Sequence, residues 1–230
     1  MKQIIILFLG VFLCNSGMAQ KLETRAIGSF DKLDVFGNVI VELVKGSEEK
    51  LVIESEEIDM ENINTRMDGK TLKISNSKEM YSAAKTVRIV LTYIQLYEIT
   101  SKGGADVKSE VPLSADRVVF NASSGGNIYV DLDVKTMQSS VGQGSLIVSA
   151  GKCTNLETEV NSGGVFSGFE LECESAVVQS SSRGKVKLNV SKSLEANANT
   201  GGWVGYLGNP AKLQVKTNLG GKVEKAQEEE

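Results

Sequence analysis

The sequence predicts an all-β protein, a single-stranded parallel β-helix of about seven turns, and three observations carry that prediction. Short segments resembling S/N-x-x/G-G recur from residue 96 onward, their last glycine at Gly104, Gly126, Gly144, Gly164, Gly184, Gly202 and Gly221. The spacings are 22, 18, 20, 20, 18 and 19 residues, a mean of 19.5. Apolar residues alternate with polar ones after each glycine. Equivalent positions of successive repeats also hold like residues, so the repeats form columns.

Taken in chain order, residues 1–19 read as a signal peptide. Lys2 supplies a basic start, Ile4 to Leu13 is an uninterrupted apolar run, and Ser16-Gly17-Met18-Ala19 offers small residues before Gln20. The run is too short to span a bilayer as a mature helix. Cys14 raises the possibility of a lipoprotein, but Phe12 and Leu13 stand where a lipobox requires small residues, so cleavage after Ala19 is the preferred reading. The rest, residues 20–224, is expected to be one solenoid domain, less regular over 20–95 and periodic over 96–224. In the first part Phe30 to Val35, Val39 to Val44, Leu51 to Ile53, Thr71 to Ile74 and Val87 to Leu91 are strand-like. Glu56 to Asp68 alternates little and reads as a short helix or a loop, and this half is expected to form the wider first turns and cap. Residues 225–230 read as a polar tail.

In the periodic part, the residues two, four and six after the glycine are expected inside: Ile128, Val130 and Leu132 in one repeat, Leu146, Val148 and Ala150 in the next, Val186, Leu188 and Val190 in another. Each repeat is then a pair of short strands around a bend, stacked on its neighbour one strand spacing away. The glycines supply positive φ at the bend. Three residues earlier, Ser123, Asn161, Ser181, Asn199 and Asn218 form a polar column able to hydrogen-bond along the stack. Gly168 breaks the alternation and shifts the inward set to Phe169 and Leu171, as a bulge does. A β-sandwich or a propeller is the rival reading, since regular turn signals occur there too; against the propeller, about twenty residues hold only half of a four-stranded blade. The usual crossover rule makes the coil right-handed.

The stretches GSFDKLDVFGNVIVELVKGSEEKLVIESEE, DGKTLKIS, VRIVLTYIQLYEITSKGGADV and YLGNPAKLQVKTNLGGKV resemble the putative auto-transporter adhesin, head GIN domain family, over essentially all of 26–223. The resemblance implies an exported β-helical domain of the kind common in Gram-negative Bacteroidota, and it transfers no catalytic residues. The chain ends seven residues after Val223, so no translocator barrel is expected within it.

Composition limits the chemistry. There is no histidine, which removes Ser-His-Asp and Cys-His catalysis and His-built zinc sites. Without the leader the chain keeps 24 basic against 29 acidic side chains, which disfavours nucleic acid as a partner. Glu54, Glu56, Glu57, Asp59 and Glu61, and the same-face pair Asp131 and Asp133, are candidate carboxylates; charge runs of this kind are mostly solvated surface, with a weak Ca²⁺ site as the functional reading. Cys153 and Cys173 each follow their repeat's glycine by nine residues, so they fall in one column on adjacent turns and are a candidate disulfide, with two stacked buried thiols as the alternative. Trp203, on the outward phase, is either a platform for a sugar ring or part of a cap under the GNPAKL loop. No catalytic residue, cofactor or metal site is expected. The expected function is a non-catalytic binding or adhesion module of the cell envelope, periplasmic or on the surface, with a glycan or an envelope protein as partner. A polysaccharide-active enzyme using carboxylate, Lys or Arg groups, and a self-associating scaffold, are the alternatives.

Overall fold

The computed structural model describes residues 21–55, 60–76 and 87–227, so the leader and the carboxylates Glu56, Glu57 and Asp59 lie outside the described residues. The described chain forms a parallel β-solenoid of about seven turns with roughly 19-residue spacing. The periodic part comprises β10 (Leu113–Ser123), β11 (Asn127–Tyr129), β12 (Leu132–Val141), β13 (Leu146–Val148), β14 (Gly151–Val160), β15 (Val165–Ser180), β16 (Lys185–Asn199), β17 (Trp203–Leu207), β18 (Lys212–Asn218) and β19 (Lys222–Lys225). The less regular part comprises β1 (Lys21–Arg25), β2 (Lys32–Phe36), β3 (Val39–Lys45), β4 (Lys50–Ser55), β5 (Ile63–Asp68), β6 (Thr71–Asn76), β7 (Val87–Tyr93), β8 (Glu98–Lys102) and β9 (Asp106–Ser109).

Two walls run the length of the coil. One is ordered β5-β6-β2-β8-β10-β12-β14-β15-β16-β18 and the other β1-β4-β7-β3-β9-β11-β13-β15-β16-β17-β19. All pairings are parallel except β5–β6, β1–β4 and β4–β7, which lie together at the N-terminal end. The two walls share one apolar core. Ile99, Phe120, Ser139, Thr158, Val178 and Ala196 stack in the first wall, and Val107, Ile128, Ile147, Phe166, Val186 and Val204 face them from the second, all buried. Where the first column turns polar, the Ser139 hydroxyl donates to Thr158 Oγ1 at 2.7 Å, so the buried pair is satisfied. Burying each large apolar side chain of these columns contributes about 1.5–3 kcal/mol.

The walls meet along one edge at stacked two-residue turns. Ser124, Gln143, Ser162, Ser182, Thr200 and Leu219 take positive φ, followed by Gly125, Gly144, Gly163, Arg183, Gly201 and Gly220 with positive φ as well. Two successive left-handed residues define a type I′ turn. The fourth residue of each turn is Gly126, Ser145, Gly164, Gly184, Gly202 or Gly221, and the glycines among these have ordinary φ. They are glycines for a different reason than the sequence indicated: a Cβ on Gly164 would stand 2.6 Å from the Val141 carbonyl oxygen, and one on Gly202 2.2 Å from that of Ser180. Gly144 is therefore a third-position residue, and the inward set of its repeat is Ser145, Ile147 and Ser149 instead of Leu146, Val148 and Ala150. The polar column beside the turns is not a side-chain ladder. Backbone bonds run along the corner instead, such as Gly144 N–H to the Ser162 carbonyl at 3.2 Å and Gly163 N–H to that of Ser182 at 3.1 Å.

Three further expectations change. Within Glu56 to Asp68, read as a short helix or a loop, Met60–Asn62 is a single 3-10 turn, but Ile63–Asp68 is a strand forming an antiparallel hairpin with β6 around Asp68-Gly69-Lys70. The irregularity at Gly168 is real, with a register shift between Gly168 and Glu172, but Phe169 lies outside with Lys187 Nζ 5.5 Å from its ring centroid while Leu171 alone goes in. Finally, each periodic turn has a third, short face. Residues 113–115, 132–134, 151–153 and 171–173 stack as a base closing the wedge between the walls, because two successive residues turn outward at 116–117, 135–136, 154–155 and 174–175.

Candidate functional groove

A groove of about 930 Å³ runs along this base. Its floor is the inward column Ala115, Val134, Cys153 and Cys173; one rim is Ser114, Asp133, Lys152, Glu172 and Asn189, the other Asp116, Lys135, Thr154, Glu174 and Ser191. A second depression of about 590 Å³ shares Ser114, Ala115 and Asp116 with it and continues toward the N-terminal turns past Tyr93, Leu96, Tyr97, Lys32 and Lys45. The two form one trench across the levels of β8, β10, β12, β14, β15 and β16, about 24 Å at roughly 4.8 Å per strand spacing. Stacking is what makes it: each turn adds one residue to the floor and one to each rim.

Five cations (Lys32, Lys45, Arg117, Lys135, Lys152) and five anions (Glu98, Asp116, Asp133, Glu172, Glu174) line the trench, so it is electrically balanced. Many are paired across turns. Lys135 Nζ lies 2.8 Å from Asp116, Lys32 Nζ 2.9 Å from Glu98, and Lys192 Nζ 2.7 Å from Glu174. The hydrogen bond and charge of Lys135 hold the Asp116 carboxyl below the usual carboxylate range, and Asp116 raises Lys135 in return. Near the N-terminal end Tyr97 is 40% exposed, its hydroxyl donating to Gln95 Oε1 at 2.9 Å, while Lys45 Nζ lies 5.1 Å from the ring centroid of buried Tyr93.

The structure brings Cys153 and Cys173 together as direct register partners on adjacent turns, both buried at the trench floor and both free thiols. The thiol of Cys153 donates to the Asn155 carbonyl. The hydrogen bond from Cys173 lowers the pKa of Cys153, and that same bond with burial pushes Cys173 well up. Asp131 and Asp133 are both exposed, but only Asp133 lines the trench. Glu54 faces Arg88 at 3.5 Å, and no group of acidic and cysteine side chains able to hold a metal occurs among the described residues. Trp203 lies on the outer face of β17, away from the trench. Its indole covers Gly205, where a Cβ would stand 2.1 Å from the ring, and its Nε1–H donates to Glu224 Oε1 at 2.7 Å.

The family model described as "Putative auto-transporter adhesin, head GIN domain" matches residues 29–210. The chain belongs to that family. Solved structures similar to this head GIN domain include a putative adhesin from Bacteroides fragilis, 20% identical, covering 91% of this chain and 99% of its own with a TM-score of 0.78. A putative lipid binding protein from Parabacteroides distasonis is 17% identical, with 90% and 97% coverage and a TM-score of 0.69. A putative adhesin from Parabacteroides merdae is 16% identical, with 90% and 96% coverage and a TM-score of 0.69. At these identities the likeness establishes the fold. No curated protein matches the chain.

Sequence reasoning missed the trench of this head GIN domain. The available signal was the doubled polar pair in each repeat, such as Asp116-Arg117, Lys135-Thr136, Thr154-Asn155 and Glu174-Ser175, which interrupts the period of two and marks a corner. No described helix is long and apolar enough to cross a membrane.

Proposed function

We propose that this head GIN domain is an exported, non-catalytic adhesion module of the cell envelope that holds an extended glycan along the base trench. The observation that carries the reading is the trench itself: one continuous surface across six stacked levels, with hydroxyl and charged groups on both rims, ion pairs along one of them, and a partly exposed Tyr97 at one end. Sugars are held by such hydrogen-bonding groups and by aromatic faces, and the balanced charge selects a neutral or mixed-charge chain over a polyanion. The apolar leader at 1–19 and the family support export, which N-terminal sequencing of the secreted protein checks at the Ala19–Gln20 bond.

The test is a glycan array with residues 20–230, followed by titration of any hit against Tyr97→Ala and Trp203→Ala. Binding weakened about tenfold or more by Tyr97→Ala and unchanged by Trp203→Ala supports the trench. The reverse pattern moves the site to the outer face of the C-terminal turns. A blank array with folded protein removes the glycan and leaves an envelope protein as the partner.

A polysaccharide-active enzyme has one feature in its favour, the acid and lysine side chains that share the trench. The direction of the Asp116 shift opposes it, since a general acid needs a raised carboxyl pKa and Asp116 is 84% exposed and held down by Lys135. Release of new reducing or unsaturated ends from a bound glycan would establish that reading.

A further inference from the structure

The two ends of the solenoid are finished differently. At the N-terminal end the outermost strands β5 and β1 are tied across the core: Arg25 on β1 donates to the Ile63 carbonyl and, at 3.1 Å, to Thr65 Oγ1 on β5, with Phe30 buried beneath. At the C-terminal end β18 pairs only with β16 and β19 only with β17 among the described residues. Leu213 and Val215 continue the buried columns that end in Leu194 and Ala196 one turn earlier, yet they are 47% and 45% exposed where those are 1% exposed. Val223 continues the opposite column after Val204, so Val215 and Val223 face each other at the same, last level. The end therefore presents two open strand edges with a cut apolar core between them.

We propose that this end is a self-association surface on which a second copy docks end to end about a twofold axis, β18 against the partner's β18 and β19 against the partner's β19, both antiparallel. The charge pattern fixes the register. Centred on Val215, β18 sets Leu213 opposite Thr217 of the partner subunit, Gln214 opposite the partner's Lys216 and Lys212 opposite the partner's Asn218. Centred on Val223, β19 sets Lys222 opposite the partner's Glu224 and the reverse. Shifting either centre by one residue puts Lys212 opposite the partner's Lys216, Lys216 opposite itself, Lys222 opposite itself or Glu224 opposite itself, all unfavourable on directly opposed strands. Among these neighbouring registers, the one centred on the inward valines avoids like charges on both walls and joins the two cores. The surface is isologous and closes at two copies. The contact is limited to the edges of β18 and β19 and the apolar ends between them, so the expected dimer is concentration-dependent, with a dissociation constant in the micromolar range or weaker.

The experiment is sedimentation equilibrium of residues 20–230 from about 1 μM to about 1 mM. A reversible shift from one chain to two is expected. Val215→Asp, which leaves two unpaired charges at the joined core, raises the dissociation constant on the order of a hundredfold, while the same change at outward-facing Val177 leaves it unaltered. Lys222→Glu and Glu224→Lys each weaken the dimer about tenfold, and the double reversal restores it to within about threefold of the parent. Thermal unfolding of each variant reads whether it is folded, and the double reversal decides the matter if Val215→Asp is not. A single-chain mass at about 1 mM, growth beyond two chains, or a dimer indifferent to Val215→Asp and to the single reversals would each overturn the proposal.

Discussion

Replacing Gly164 by alanine should cost more than replacing its neighbour Gly163, although Gly163 is the one in the left-handed region, at φ +74°. A methyl group on Gly163 meets nothing within 4 Å. Its cost is the intrinsic left-handed penalty of roughly 1–2 kcal/mol, offset by about 0.4–1 kcal/mol from the less flexible unfolded chain. A net loss near 0.5–1 kcal/mol follows, and Arg183 already tolerates the same conformation one turn on. A methyl on Gly164 would stand 2.6 Å from the Val141 carbonyl oxygen and 2.8 Å from its carbon. The structure shows how the stack accommodates a side chain there. In turns closed by Gly126, Gly164, Gly184, Gly202 and Gly221 the closing hydrogen bond is 2.8–3.0 Å, whereas it is 3.2 Å at Ser145 and 3.3 Å at Ala105. Gly164→Ala should therefore stretch its turn by a few tenths of an ångström and loosen the packing of the turn beneath, at about 2 kcal/mol, within the range for overpacking. In a chain of this size that is about 4–8 °C of Tm, against about 1–4 °C for Gly163→Ala. Paired thermal and urea unfolding of the two variants gives the comparison. Equal costs, or a larger one at Gly163, would refute the close-approach account and return these glycines to a dihedral role.

Two other outcomes are expected. In the reduced, folded protein Cys153 should alkylate ahead of Cys173, because Cys173 lowers the pKa of Cys153 while its own is raised; with a disulfide oxidant such as oxidised glutathione accepting the two hydrogens, the register pair should close, making the protein lighter by that mass, and an unchanged mass would rule the bridge out. Deleting residues 155–174 joins Thr154 to Ser175, the register partner of Asn155, and should leave a shorter solenoid that still unfolds cooperatively. Collapse of that variant to a non-cooperative state would mean that the turns do not act as separable units.

The sequence by itself determined the solenoid. Every turn of a parallel stack places the same position against the same neighbour, so physical selection for burial or for a tight turn at one level repeats at all levels and is written along the chain as columns. Ile128, Phe166, Val186 and Val204 could be read that way, and so could the pairing of Cys153 with Cys173. A periodicity records which residues face inward; it does not record why a turn glycine is needed or how a wall ends. Gly144 and Gly164 look alike in the sequence, yet one supplies a dihedral and the other room for a carbonyl one turn away, a distinction made only by chain segments some twenty residues apart. The trench likewise depends on six stacked levels bringing their residues into line. The antiparallel finish at β5 and β1 and the open edge at β18 were decided by tertiary structure for the same reason: Leu213 and Val215 carry the same inward pattern as Leu194 and Ala196, and only the absence of a further described strand beyond them turns buried positions into exposed ones.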